Sequence, residues 1–406
     1  MTFNDSCVWR GEEGLKVTLE APLTFKGNLF LEGELRVEAA GPPRAPCVTV
    51  LGTLSLHAAR AVFVGCRNEA GHGGAVYVGK DFILSRSHLQ IENCTAKESG
   101  GGAYVTGSFR QSNASSARFQ NCTAGNEGGG AFVAGSFRQS NGSAARFQKC
   151  MAGEDGGGLN VQNHLLQEDR SALEVESCAT ANNGGGACVF GSFWQSNGSS
   201  ARFQNCRAEH EGGGLNVQNH LLQEAKGTLE VESCAAEFSG GTHVIGCFRQ
   251  SNGSSARFQN CTATNVGGGL HVGQELLQEA QSALEVESCA ANKGGGADVS
   301  GSFRQSNGSS ARFQNCMAKS GGGGFHVGKD ISQDNSYLSA RGTAGTSVHL
   351  HGTLRQLGRA AKFEDLVASL SIRCSACHPL CCFVVAWPIS RSYCEQMQLL
   401  QLLWLQ

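Results

Sequence analysis

Four residues with metal-binding side chains recur at regular steps in the second half of the chain. They are His243, His271, Asp298 and His326, separated by 28, 27 and 28 residues. Imidazole nitrogens and carboxylate oxygens are ligands that zinc and related divalent metals take from proteins. Such even steps bring side chains together only where each step is one turn of a repeating structure. The residues predict a divalent metal site if the chain stacks at this period, and a variable solvent-facing column otherwise.

The equivalent positions earlier in the chain hold Val76, Tyr104 and Phe132. Aromatic rings on a flat β surface offer an apolar face that a sugar ring can cover. Tyr104 and Phe132 therefore predict a glycan-stacking site. The alternative is that both rings are exposed without a ligand.

The period that would align these residues is set by cysteine. Ten cysteines follow one another at steps of 27 or 28 residues. They are Cys66, Cys94, Cys122, Cys150, Cys178, Cys206, Cys234, Cys261, Cys289 and Cys316. A fixed period of this length is typical of a solenoid, in which each repeat packs only on its neighbours. We expect these cysteines to be buried free thiols that set the pitch.

Each repeat contains three short segments with alternating apolar and polar residues, as in 117–120, 131–133 and 137–139. Turns rich in Gly, Asn and Ser separate them, which predicts three short strands and leaves no room for a helix. The sequence thus predicts an all-β parallel solenoid of about twelve coils. A leucine-rich repeat has a similar period, and 173–178 imitates part of its signature, but its other leucines and helical segment are missing.

Two further columns are expected to hold the coils in register. One alternates in charge, and its members are Arg146, Glu174, Arg202, Glu230, Arg257, Glu285 and Arg312. The other is uniform, and its members are Gln111, Gln139, Gln167, Gln195, Gln223, Gln250, Gln278, Gln305 and Gln333. Stacked amides can donate and accept along the axis. Both columns serve assembly and indicate no ligand.

Composition changes at the two ends divide the chain. We expect a strand-rich cap at 1–57, the ten coils at 58–335 and degenerate coils at 336–370. The segment 371–406, rich in Cys and Leu, is either a real domain or an artefact of the gene. It contains Cys374-Ser-Ala-Cys377-His378, a spacing known from haem attachment and zinc knuckles. We expect no cofactor from this single copy.

Charge and hydropathy limit the partners. The formal net charge is -2 with both signs mixed, so no basic field exists to hold a nucleic acid. No apolar run is long enough for a transmembrane helix, and the first residues do not resemble a secretory signal. For the location of the protein, these features predict either an intracellular protein or a gene model that lacks the true N-terminus. Five Asn-x-Ser sequons at turns are the expected N-glycosylation sites if the chain is secreted: Asn113, Asn141, Asn197, Asn252 and Asn307.

The motif Phe119-x-x-Cys122 followed by Gly129-Gly130-Ala131-Phe132 resembles the repeat of bacterial polymorphic outer membrane proteins. More broadly, residues 58–335 resemble the pectin-lyase-like superfamily of right-handed parallel β-helices. The resemblance implies a right-handed coil and an adhesin-like role at the cell surface or outside the cell. Here Cys replaces the Asn of the family repeat, and no membrane barrel follows the repeats.

Two functions follow as expectations. The first is a non-catalytic structural or adhesin-like module that presents a β-helix face to a glycan or protein. The alternative is a carbohydrate-active enzyme of the pectin-lyase-like class, which needs clustered acids. The chain has only eight Asp residues, and Gly71-His72-Gly73 matches a short motif of polygalacturonases at a position where other coils have a Gly turn.

Overall fold

The computed structural model describes residues 1–12, 15–39, 45–341 and 348–357, together with the backbone of 362–364, 368–371 and 384–385. These residues form a right-handed parallel β-solenoid of about 11 turns, and no helix occurs among them. The expected fold is confirmed, with close to the number of coils that the repeat indicates. Within the described ranges, no helix long and apolar enough to cross a membrane is found.

Sheet 1 has 16 short strands, parallel except for the last pair. Its regular strands have three residues, with the outer two facing the core, as Ala131 and Val133 do. The strands are Thr2–Phe3, Leu23–Phe25, Val48–Val50, Val76–Val78, Ala103–Val105, Ala131–Val133, Leu159–Val161, Ala187–Val189, Leu215–Val217, Thr242–Val244, Leu270–Val272, Ala297–Val299, Phe325–Val327, Val348–Leu350, Ala368–Ser371 and Val384–Val385.

Sheet 2 consists of two rows of parallel strands, joined because Leu29–Ala39 and Leu54–Val64 run through both rows. The other strands of the first row are Cys7–Gly11, Phe82–Ser85, Phe109–Ser112, Phe137–Gln139, Leu165–Gln167, Phe193–Gln195, Leu221–Gln223, Phe248–Gln250, Leu276–Gln278, Phe303–Gln305, Ile331–Asp334 and Leu354–Leu357. Those of the second row are Lys16–Leu19, His88–Glu92, Ser116–Gln120, Ala144–Gln148, Ala172–Glu176, Ser200–Gln204, Thr228–Glu232, Ser255–Gln259, Ala283–Glu287, Ser310–Gln314, Tyr337–Arg341 and Lys362–Glu364.

Sheet 3 adds a fourth strand to each regular coil, mostly two residues long and placed directly after the repeat cysteine. Such short strands lack the alternation that predicted the other three. The ten strands are Arg67–Asn68, Thr95–Ala96, Thr123–Ala124, Met151–Ala152, Ala179–Thr180, Arg207–Ala208, Ala235–Ala236, Thr262–Ala263, Ala290–Lys293 and Met317–Gly321.

From the strand Ala144–Gln148 onward, the core alternates in side-chain size between neighbouring coils. Ala145 pairs with Leu173, and Phe147 pairs with Val175, and all four side chains are buried. A small and a large residue in one coil thus face two of medium size in the next. Volume-conserving exchange is what a close-packed interior tolerates best.

The glutamine column lies inside the solenoid as a hydrogen-bonded ladder. From Gln139 to Gln333, each Nε2 donates to the Oε1 of the preceding glutamine at 2.8–3.1 Å. Most also donate to a carbonyl at the start of a strand in the second row of sheet 2, as Gln139 does to Ala172. The predicted ladder is confirmed. The interior tolerates these buried amides because the amide groups from Gln139 to Gln305 pair along the ladder.

The repeat cysteines are buried from Cys94 to Cys316, and these nine are free. Burial raises the pKa values of the Cys94, Cys122 and Cys150 thiols well above the usual range. The expectation of a free thiol is wrong for the first member, because Cys66 forms a disulfide with Cys47. Cys47 comes from the coil that precedes the regular repeats, so the bridge ties that coil to them.

The alternating charges are in register, as predicted, but their ion pairs are displaced. Arg146 Nη2 lies 3.0 Å from Glu176, whereas its Nε lies 3.5 Å from Glu174 in the expected column. Arg202 likewise lies closer to Glu232 than to Glu230. Each of these arginines therefore contacts two glutamates of the following coil. Exposed pairs of this kind contribute about 0–1 kcal/mol each.

The predicted N-terminal cap continues the solenoid. Strands Thr2–Phe3 and Leu23–Phe25 pair in parallel with each other and belong to sheet 1. The described residues of this segment, 1–12, 15–39 and 45–57, therefore stack as further coils on the regular repeats. The predicted tail 371–406 lies outside the described residues, except for the backbone of Ser371 and of 384–385.

Candidate functional site

The predicted metal-binding residues occupy the middle position of four consecutive strands of sheet 1. His243 pairs in register with His271, His271 with Asp298, and Asp298 with His326. The register continues to His349 on the next strand. We call these five residues the histidine–aspartate column. The prediction that the repeat brings the four original residues to adjacent coils is confirmed.

Three members of the column are buried and two, His271 and His349, are half-buried, so the column is not the freely solvent-facing one that the alternative to a metal site supposed. His243 is 8% exposed, and Asp298 and His326 are each 2% exposed. The residue four before the column position adopts a positive φ, for example Gly294 at +59° before Asp298 and Ser239 at +57° before His243. A Cβ at Gly294 would lie 2.9 Å from the Cβ of Asp298. Glycine is the residue that adopts this conformation without strain, and it lets the turn fold closely over the outward face of the strand at Asp298.

Asp298 is the centre of the column's charge pairing. Its Oδ2 lies 3.0 Å from His271 Nδ1, and its Oδ1 lies 2.7 Å from His326 Nδ1. Lys293 Nζ is 3.5 Å from Oδ1. Both imidazole contacts are short enough for ion pairs but lie off the hydrogen-bond direction. Burial acts to raise the pKa of Asp298, but the two imidazoles and the ammonium outweigh it and hold this pKa below its usual range.

His243 takes part in a separate contact with the preceding turn. Its Nδ1 lies 3.0 Å from Glu211 Oε2, and Asn216 Nδ2 donates to the same oxygen at 3.0 Å. The contact with His243 holds the pKa of Glu211 below its usual range. His243 is therefore paired with an acid of its own, away from Asp298.

One ion cannot be bound by all four predicted residues. Adjacent strands lie about 4.8 Å apart, so His243 and His326 are separated by about 14 Å along the axis. Zinc binds nitrogen at about 2.0–2.1 Å, so two ligands of one ion lie less than about 4.2 Å apart. The carboxylate of Asp298 is moreover already in contact with two imidazoles.

Three histidines at one end of the column are close enough to bind a metal together. They are His326, His349 and His351, which offer ligand atoms within 4.8 Å of one another. We call them the histidine cluster. The rings of His326 and His349 are stacked with centroids 5.2 Å apart, and His351 meets both rings edge-on. Sequence analysis identified only His326, because His349 follows it by 23 residues and no repeat cysteine marks that coil.

Aromatic residues occupy the same middle position in earlier strands of sheet 1, and their rings form a continuous stack. Tyr104 pairs in register with Tyr77 and Phe132, with ring centroids 5.4 and 4.8 Å apart. The sequence alignment with Val76 is wrong by one residue, since Val76 is buried in the core. The rings cover each other's faces, and Phe132 is 6% exposed. Glycan stacking on Tyr104 and Phe132 stays a prediction, and this stack directs ring edges, not faces, towards a ligand.

Acidic side chains gather beside this stack, which sequence analysis did not foresee. Burial raises the pKa of Glu127, and the nearby carboxylates of Asp155 and Glu154 raise it further. Burial also raises the pKa of Asp155, whose Oδ1 accepts hydrogen bonds from the backbone of Asn183 and the side chain of Asn182. His72 of the Gly-His-Gly motif stacks on Tyr104 with ring centroids 4.3 Å apart, and its Nε2 lies 2.8 Å from Glu98.

The first row of sheet 2 carries a different kind of surface. Trp194 occupies the middle of Phe193–Gln195, is 50% exposed and points outward. Leu166 and Leu222, both half-buried, lie in register on its two sides. The next members of this column are Arg138 on one side and Arg249 on the other. We call the Leu166–Trp194–Leu222 stripe the tryptophan face.

The tryptophan face was not predicted, although the sequence contains an irregularity at Trp194 that indicates it. The equivalent position is Arg in several coils and Leu in the coils between them, so Trp194 interrupts a simple alternation. The motif Phe-Trp-Gln differs from Phe-Arg-Gln in one residue, and that residue faces outward.

The five sequon asparagines are exposed at turns between the two rows of sheet 2. Each adopts a left-handed conformation, with φ between +50° and +56°. The predicted accessibility of Asn113, Asn141, Asn197, Asn252 and Asn307 is confirmed. Their glycosylation stays a prediction.

No protein-family model, curated protein or solved structure matches the chain.

Proposed function

We propose that the chain is a non-catalytic binding module that presents the tryptophan face to a protein partner. The observation that carries the proposal is the half-exposed Trp194 between two leucines on a rigid strand. Tryptophan and arginine are the residues most enriched where protein interfaces gain their binding energy. The similarity of the repeat to that of polymorphic outer membrane proteins supports an adhesin-like role, at the cell surface or outside the cell.

The surroundings of Trp194 favour a protein over a glycan. Sugar sites place polar groups beside the aromatic ring to bind hydroxyls. Here the neighbours along the axis are Leu166 and Leu222, and the ring of His164 is tilted to the indole with centroids 6.4 Å apart. Beyond the leucines, the face has charges of both signs, with exposed Arg138 and Arg249 and exposed Glu168 and Glu224. An apolar centre within a mixed polar rim is the usual anatomy of a protein interface.

The partner is expected to be a different protein. In a two-fold pairing of this face about Trp194, Arg138 would meet either Arg138 or Arg249 of the second copy. Like charges opposed at an interface are unfavourable. Arg138 also has no ion-pair partner among the described residues, so an acidic group of a partner can pair with it.

In the test, the full chain is first immobilised, and the proteins that bind to it are identified by mass spectrometry. Each retained protein is then purified, and its affinity is measured for the wild type, Trp194→Ala and Met317→Ala. Met317 is a matched control, since it is 54% exposed and lies on sheet 3. We expect Trp194→Ala to weaken one partner by about 30-fold or more and the control to leave it unchanged. A partner that binds both variants equally, or Trp194-dependent binding of oligosaccharides alone, would overturn the proposal.

A second candidate is the carbohydrate-active enzyme, favoured by the raised pKa of Glu127 beside Tyr104. A carboxyl group whose pKa is raised by burial is better suited to act as a general acid. Against it, Asp155 is occupied by Asn182 and Asn183. Turnover of acidic polysaccharides, with and without Ca²⁺, that is lost in Glu127→Gln would establish this activity in place of a non-catalytic module.

A further inference from the structure

We propose that His326, His349 and His351 bind one zinc ion or a similar divalent transition metal, and that Asp298 orients His326 towards it. The site differs from the metal site expected from the sequence, since His243 and His271 are not ligands and Asp298 is a positioning residue. The inference is independent of the proposed function of the tryptophan face.

The first argument is the state of His326. This residue is 2% exposed, and its Nε2 is buried with no hydrogen-bond partner. An unpaired buried polar atom is costly and needs an explanation such as an ion. The carboxylate of Asp298, 2.7 Å from Nδ1, favours the imidazole tautomer with its proton on Nδ1. The lone pair is then on Nε2. Both ring nitrogens lack a hydrogen bond, but Nδ1 has the ion-pair contact with Asp298, so Nε2 is the nitrogen that an ion would satisfy.

The second argument is the pairing of Asp298 with His326. Histidines that bind metals usually direct their other ring nitrogen to a carboxylate or a carbonyl, which fixes the ring and increases its basicity. The nearby charges of Asp298 and Lys293 nearly cancel, so the positive field of Lys293 does not dominate the site.

The third argument is the way the backbone places the other two imidazoles. His349 pairs in register with His326 on the adjacent strand of sheet 1. His351 follows two residues later, and its backbone N–H donates to Val327 O at 3.1 Å, which continues the register. His351 lies one residue beyond the strand Val348–Leu350, and its ring meets those of His326 and His349, so the three imidazoles gather on the outward side of the sheet.

The distances require a modest closure. Nitrogens around a tetrahedral zinc are about 3.4 Å apart, and the three ligand atoms lie within 4.8 Å of one another. His326 is buried, whereas His351 is exposed, so the closure is expected mainly from rotation of the His351 side chain. Three imidazoles leave a fourth position for water or a ligand.

The experiment is a titration of the chelator-treated full chain with Co²⁺ and Zn²⁺, followed by calorimetry and by the visible absorption of cobalt. We expect one site with a tetrahedral cobalt spectrum and no thiolate bands. His351→Ala and Asp298→Asn should each weaken binding by about tenfold to 100-fold. His351 is exposed, so its replacement leaves the fold intact. Lys293→Gln should strengthen binding, because it removes a positive charge beside the ion.

A control makes the result decisive. His57→Ala should leave the affinity unchanged, since this exposed imidazole lies outside the histidine cluster and has no contact with Asp298. A saturable site that survives His351→Ala and His349→Ala would overturn the proposal. Thiolate-to-cobalt absorption would also overturn it, because it would assign the ion to cysteines such as Cys374 and Cys377. Absence of binding to the wild type would equally contradict it.

Discussion

The side-chain nitrogen of Gln223 donates to the side-chain oxygen of Gln195 at 2.8 Å, inside the solenoid and away from water. The same contact recurs along the ladder in both coil types, although the core residues around it differ. The interior is therefore uniform in its polar pairing, and its regularity serves assembly. Differences between coils that bear on function are found on the outward faces, at the tryptophan face and the histidine cluster.

The first prediction concerns this ladder. Replacing Gln223 with Leu leaves the Oε1 of Gln195 buried without the donor shown here, while Gln250 keeps its bond to Ala283. A buried polar atom left unpaired costs about 1–3 kcal/mol. We expect Gln223→Leu to lower the free energy of unfolding by about this amount in urea denaturation. Gln274→Leu, at an exposed position, should have little effect, and an equal loss in both variants would contradict the role of the ladder.

The second prediction concerns thiol reactivity. Burial raises the pKa values of the Cys94, Cys122 and Cys150 thiols, and the thiolate is the reactive form. Cys7 and Cys247 are the half-exposed free cysteines of the described residues. Brief alkylation of the native protein near neutral pH, followed by peptide mass spectrometry, should label Cys7 and Cys247 well before the three buried thiols. Early labelling of Cys122 or Cys150 would show that the interior is not closed.

The third prediction compares two glycines with similar backbone angles. Gly156 and Gly142 have φ of +67° and +69°. A Cβ at Gly156 would lie 2.5 Å from the carbonyl oxygen of Leu159, whereas nothing lies within 4 Å of a Cβ at Gly142. Gly142→Ala should therefore cost only the backbone strain of about 1–2 kcal/mol. Gly156→Ala should cost clearly more in thermal or urea unfolding. Equal costs would mean that the turn at Gly156 does not pack on Leu159 and Asn160 as described.

The fold was accessible from the sequence because the repeat is long and regular. A 27–28-residue period with alternating segments is compatible with few structures, and the Gln and Arg/Glu columns follow from the period alone. The burial of outward-facing residues such as Asn160 and Asp298 could not be predicted from the sequence, because the alternation shows only that a side chain faces outward. Whether the preceding turn folds over it depends on the φ of a glycine such as Gly156 or Gly294.

The candidate sites could be predicted from the sequence only in part, for a related reason. His349 and His351 lie in a coil of different length, so counting residues from His326 does not find them. Trp194 occupies a regular position, but its exposure depends on the two neighbouring coils presenting Leu166 and Leu222, not longer side chains that would cover the ring. Both sites therefore require three-dimensional contacts between coils.

The most direct test of the central claim is photo-crosslinking from the tryptophan face. A photo-reactive amino acid replaces Leu166, beside Trp194, and in a control it replaces Ser332, which lies in the same column six coils further along. The account predicts that the partner identified by affinity measurement is crosslinked from position 166 but not from position 332. It also predicts that Trp194→Ala in the same chain abolishes the adduct. Equal crosslinking from both positions, or an adduct that survives Trp194→Ala, would contradict it.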